Sequence, residues 1–152
     1  MPSPSRYEKA MRACLSIFPL SDQSRLPLPL YLSPVAAGFP SPAEDYIDKR
    51  LDLNEHLIRH PAATFFVRVA GDSMRDAGVA DGDILIVDRA LEPKNGSIVV
   101  AALDGELTVK RLRREGGRLF LVPENPDYAP IEVPAEASLM VWGVVTYIIH
   151  KA

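Results

Sequence analysis

Eight of the fourteen prolines fall within the first 42 residues: Pro2, Pro4, Pro19, Pro27, Pro29, Pro34, Pro40 and Pro42. Proline fixes φ and has no N–H to donate, and it pushes the preceding residue away from helical angles. The stretch from Pro27 to Pro42 is therefore expected to be neither helix nor central strand, and residues 19–42 read as an extended arm. Ahead of the arm, Tyr7, Ala10, Met11, Cys14, Leu15 and Phe18 recur at helical spacing, which predicts a short amphipathic helix. After it, Ser41 with Glu44, and Pro42 at the first helical position, make a capping box. Asp52 with Glu55 repeats the pattern, and Pro61 is expected to stop the helical stretch.

From Thr64 the pattern turns to strands. The spacing predicts them at Thr64–Val69, Asp83–Val87, Ser97–Leu103, Glu106–Leu112, Arg118–Val122 and Met140–Ile149. Asp104-Gly105 is a type I′ hairpin signal, and Gly116-Gly117 is a second turn. Short strands behind a helical front imply a mainly β domain. With 152 residues, there is enough chain for one core.

The formal net charge of −3 argues against a protein whose main task is gripping duplex DNA, which needs a basic face. Cys14 is the single cysteine, so no internal disulfide can form, which fits a reducing cytoplasm. No apolar run approaches the roughly 20 residues of a membrane helix, and no secretory signal is visible at the N-terminus.

Three features could carry chemistry. Gly71-Asp72-Ser73-Met74 follows the strand from Thr64, and a glycine turn there would present the Ser73 hydroxyl at a strand end. Backbone amides at such a turn can converge on one point, as an oxyanion hole requires. Taken alone, a Gly-Asp-Ser sequence is ordinary turn chemistry. Strand alternation in Glu106–Leu112 puts Thr108, Lys110 and Leu112 on one face. A lysine beside apolar neighbours loses water, and burial disfavours its charged form. A neutral amine is a competent base for a serine hydroxyl. The plain alternative is an exposed lysine in a basic edge strand. The third feature is Ala36-Ala37-Gly38-Phe39-Pro40, where small residues flank a peptide bond within the proline-rich arm. Its plain alternative is a linker.

The run from Gly38 to about Val145 resembles the UmuD proteins of the LexA-like self-cleaving serine peptidases. The segments that carry the resemblance are Gly38-Phe39-Pro40-Ser41-Pro42-Ala43, Gly71-Asp72-Ser73-Met74, Asp81-Gly82-Asp83-Ile84-Leu85-Ile86-Val87-Asp88, Asp104 to Lys110, and Gly143-Val144-Val145. The resemblance implies a LexA/signal-peptidase-like, β-rich peptidase domain at 38–152, with short N-terminal helices, and an arm at 1–37 removed by self-cleavage. It implies that Ser73 is the nucleophile, Lys110 its general base, the Ser73 and Met74 amides the oxyanion hole, and Ala37–Gly38 the bond cut. It also implies a homodimer, a RecA–single-stranded DNA filament as stimulator, and a Y-family, UmuC-like polymerase subunit as partner. No cofactor, metal, membrane contact or sequence-specific DNA binding is implied. UmuD proteins usually have cysteine before the cut, whereas Ala37 matches LexA. The segment before Gly38 is about a dozen residues longer than usual, yet too short and proline-rich for the usual helix-turn-helix domain.

Other readings remain open at this point: a non-cleaving interaction module of the same fold, or a peptidase acting on other chains. His56 and His60, four apart on an expected helix, could share a metal but lack a third ligand. Asp76, Asp81 and Asp83 crowd one loop without the full pattern of a calcium site. Lys110-Arg111 with Arg113-Arg114 reads as a solvated sheet edge, and Trp142 as core or dimer interface.

Overall fold

The computed structural model describes residues 25–31, 37–38 and 47–152. The helix expected over Tyr7–Phe18 and the capping box at Ser41 lie outside them. The described chain forms two units, one within Ser21–Arg59 and a body spanning His60–Ala152.

In the N-terminal unit, β1 (Pro27–Tyr31) pairs antiparallel with β2 (Ile47–Asp52), Leu28 opposite Leu51 and Leu30 opposite Lys49. At Pro27–Tyr31 the arm is extended, as expected, but paired. Pro27 and Pro29 carry no N–H donor, so β1 is tolerated as a ribbon edge and would not be in a sheet centre. A helix from Ser41 cannot run through residues 47–52, because they are strand. The second helix start is real: the Asp52 side chain accepts from the Asn54 N–H and caps α1 (Leu53–Leu57). That helix ends before Pro61, which instead opens a 3-10 turn at Pro61–Ala63.

The body is one antiparallel sheet of seven strands. They are β3 (Thr64–Arg68), β4 (Ile84–Asp88), β5 (Ile98–Leu103), β6 (Glu106–Glu115), β7 (Arg118–Val122), β8 (Ile131–Val133) and β9 (Leu139–Ile149). Their spatial order is β3-β4-β9-β5-β6-β7-β8. All six expected strands form, with ends shifted by a residue or so and β6 three residues longer; β8, only three residues long, has no legible pattern of its own. At both hairpin turns the residue pairs Asp104-Gly105 and Gly116-Gly117 take positive φ, as type I′ requires. The Asp104 N–H also donates to Ser138 O at 2.9 Å, tying the first turn to the chain entering β9.

Two apolar clusters hold the sheet. One gathers Phe65, Met74, Val79, Leu85, Val87, Val100 and Trp142. The other gathers Val99, Ala101, Leu112 and Leu121. Val99 and Val100 fall in different clusters because successive strand residues face opposite sides. Trp142 is core, packed edge-on to Phe65. Gly143 is required where β9 crosses β4: a Cβ there would lie 2.7 Å from a Val87 methyl and 3.0 Å from the Asp88 carbonyl oxygen.

Two expectations are corrected here, the edge position of the basic run and the place of His60 on a helix. The basic run is no sheet edge, since β6 lies between β5 and β7 and the edges are β3 and β8. Two of its three arginines are engaged: Arg111 pairs with Glu124 and donates to Gly96 O, and Arg113 lies over the Phe120 ring. His60 lies beyond α1, and its ring bonds the Asp88 carboxylate at 2.6 Å. The crowded carboxylates have separate tasks: Asp81 accepts from the Gly71 N–H, Asp83 from the Ala80 N–H and His150, and Asp76 pairs with Arg75. Among the described residues, no helix is long and apolar enough to cross a membrane.

Candidate active site

β3 ends at Arg68, and the chain then turns through Gly71, whose φ of +92° favours glycine. Asp81 fixes this turn by accepting from the Gly71 N–H at 2.7 Å. Ser73 follows, half-buried, and Met74 is buried in the core. An apolar anchor directly after a polar turn holds the Ser73 hydroxyl at the protein surface.

Lys110 reaches this hydroxyl from the middle of β6. It stands opposite Val99, with Thr108 opposite Ala101, and Leu112 lies in the same apolar cluster as both partners. The expected shared face therefore forms. Lys110 Nζ donates to Ser73 Oγ at 3.0 Å, to Thr108 Oγ1 at 2.8 Å and to the Val109 carbonyl at 3.0 Å. Burial pushes its pKa below the ordinary lysine value. Among the described residues, no carboxylate lies within ion-pair distance of Nζ to oppose that shift. A hydroxyl and an amine at this distance can exchange a proton directly.

The Ser73 and Met74 amides donate to no acceptor among the described residues. Ala37 and Gly38 occupy an exposed bend in the N-terminal unit. No group of acidic, cysteine or histidine side chains suited to a metal occurs among the described residues.

Sequence reasoning missed the segment that grips the Ser73 turn. After β7, the Glu124 N–H donates to Ser73 O at 2.8 Å, and Glu124 O accepts from the Asp76 N–H at 2.8 Å. Asn125, only 4 % exposed, donates from Nδ2 to Asp72 O at 2.9 Å. Its Oδ1 accepts from the Asp127 N–H at 3.0 Å, and the Tyr128 hydroxyl donates to the Asp72 carboxylate at 2.7 Å. The run Pro123-Glu124-Asn125-Pro126-Asp127 announces an Asx turn, but nothing in it names its partner some fifty residues away. Thr108 was legible as a face-mate of Lys110, though not as its hydrogen-bond partner.

The S24-like peptidase family model matches residues 29–146. Protein SamA of Salmonella typhimurium is 49% identical over 137 residues, covering 90% of this chain and 95% of that one. Protein MucA of Escherichia coli is 47% identical over 135 residues, covering 88% and 92%. LexA repressor 1 of Pseudomonas syringae pv. tomato is 42% identical over 131 residues, 86% of this chain but 63% of the repressor. With a serine and a half-buried lysine joined on a β-rich body and relatives of this kind over most of its length, the chain belongs to the S24-like family of self-cleaving serine peptidases and, within it, to the UmuD-like proteins of SOS mutagenesis.

Proposed function

We propose that the chain cuts its own Ala37–Gly38 bond with a Ser73–Lys110 dyad. The observation that carries this reading is the 3.0 Å contact between Lys110 Nζ and Ser73 Oγ in a site where burial favours the neutral amine. Neutral Lys110 takes the Ser73 hydroxyl proton as Oγ attacks the Ala37 carbonyl carbon. The oxyanion is held by the Ser73 and Met74 amides. The C–N bond then breaks, Lys110 returns the proton to the departing Gly38 amine, and water hydrolyses the Ser73 ester. Residues 1–37 leave as the arm, and 38–152 remain as the peptidase domain.

Membership of the UmuD-like proteins supports the rest of the reading. The processed chain acts as a homodimer and joins a Y-family, UmuC-like polymerase in translesion synthesis. A RecA filament on single-stranded DNA speeds the cut by binding the arm-docked state better than the undocked one. The setting is the cytoplasm.

The test is mass spectrometry of the full chain incubated at mildly alkaline pH, with and without nucleotide-loaded RecA filaments. A fragment beginning at Gly38 is expected, faster with filaments, and absent in Ser73→Ala and Lys110→Ala variants that still unfold cooperatively. An unchanged rate in Lys110→Ala would remove the dyad, and a rate indifferent to filaments would remove the SOS trigger. A wild-type chain that never yields the fragment would favour a non-cleaving interaction module.

A further inference from the structure

We propose that Asn125 is a positioning residue that aims the oxyanion-binding amides of the Ser73 turn. This rests on the dyad reading above. A peptide unit is planar and trans, so its C=O and N–H point in opposite directions, and no cis bond interrupts the chain here. The Asp72 carbonyl and the Ser73 N–H belong to one such unit. The Ser73 carbonyl and the Met74 N–H belong to the next.

Both carbonyls are held from the same short segment. Asn125 Nδ2 donates to Asp72 O at 2.9 Å, with the Arg75 N–H as a second donor at 3.1 Å. The Glu124 N–H donates to Ser73 O at 2.8 Å. With the carbonyls drawn toward residues 124 and 125, the Ser73 and Met74 N–H groups are turned away from that segment, and no described acceptor takes them up. They are left for a transient negative charge, and a donor fixed before reaction costs no reorganisation when the charge develops.

Asn125 is itself locked. It is buried, and its Oδ1 accepts from the Asp127 N–H, so the amide cannot flip without breaking both contacts. The segment also reaches β6, because the Glu124 side chain pairs with Arg111, next to Lys110. One loop thus braces the amides and touches the strand that carries the base.

The experiment compares Asn125→Ala and Asn125→Asp with the wild-type full chain. Asparagine to aspartate keeps the volume and the acceptor for the Asp127 N–H but offers no donor to Asp72 O. Self-cleavage is followed across pH, and Ser73 labelling by a small fluorophosphonate, whose phosphoryl oxygen needs the same amides, is timed separately. Removing one oxyanion donor outright typically costs about 10²–10³ in rate, so loss of its aim is expected to lower the alkaline plateau by about tenfold or more. Labelling should slow in parallel while the pH midpoint, which belongs to Lys110, stays where it is. Should Asn125→Ala fail to unfold cooperatively, Asn125→Asp carries the test. A folded variant cleaving within about twofold of wild type overturns the proposal, as does a midpoint climbing toward the ordinary lysine value, which would report a loosened, rehydrated site. Those results leave the dyad standing, whereas cleavage surviving in Ser73→Ala removes the dyad and this proposal together.

Discussion

The two halves of the site are held in place by different means. Lys110 is supported by its own strand: Thr108 two residues back on the same face, the Val109 carbonyl beside it, and apolar neighbours across the ladder on β5. Ser73 sits on a turn with no ladder. Its position comes from Asp81, from Glu124 and Asn125 after β7, and from Tyr128 through Asp72. A base can be set by strand alternation alone, since a pleated strand orients every second side chain the same way. A nucleophile on a turn needs partners brought from elsewhere in the chain. Damage to β6 should therefore change when the base is neutral, and damage around the turn should change how fast a neutral base succeeds.

Lys110→Arg is expected to produce the largest effect. It keeps the positive charge and the bulk, but guanidinium does not lose its proton at accessible pH. Self-cleavage should fall on the order of 10⁴-fold or more and show no alkaline rise. In the wild type the rate should climb with pH and level off at a midpoint below the ordinary lysine value, because burial disfavours the ammonium. The same shift bears on stability. The unfolded chain binds a proton to Lys110 more tightly than the folded one. Stability should therefore gain as pH rises from the folded pKa to the unfolded value, a gain that Lys110→Ala lacks in urea titrations. Measurable cleavage by the arginine variant would break the assignment of the base.

Thr108→Val tests whether the base is tuned from within β6. The hydroxyl accepts from Nζ at 2.8 Å and so favours the charged amine. Removing it should lower the midpoint of the rate profile by about one pH unit and cost about three- to tenfold at the plateau through looser placement. A midpoint that moves up would mean the hydroxyl keeps water out rather than stabilising the ammonium.

Tyr128→Phe should have the smallest effect. The Tyr128 hydroxyl donates to the Asp72 carboxylate, but both groups are exposed. The Asp72 main chain remains held by Asn125 and Arg75. The plateau should change by less than about threefold, with no movement of the midpoint. A loss as large as that expected for Asn125 would show that the turn is steered by the Asp72 side chain rather than by its carbonyl.

Gly71, Ser73, Lys110 and the 37-residue interval between the last two were open to inspection in the sequence, as was the shared face of Thr108, Lys110 and Leu112. Six of the seven body strands and both hairpin turns followed from alternation and from glycine-bearing pairs, because these signals are local: pleat and φ are properties of neighbouring residues. The resemblance to UmuD proteins rested on the same short segments. The pairing of β1 with β2, the interior place of β6 and the grip of Asn125 on Asp72 had no such local signal. Strand order and long-range hydrogen bonds depend on which buried surfaces meet, a property of the whole chain and not of any window in it. Local patterns read together with the family resemblance were enough to single out Ser73 and Lys110 as candidates, but only the packing of β3, β6 and the loop after β7 into one body brought the amine within 3.0 Å of the hydroxyl.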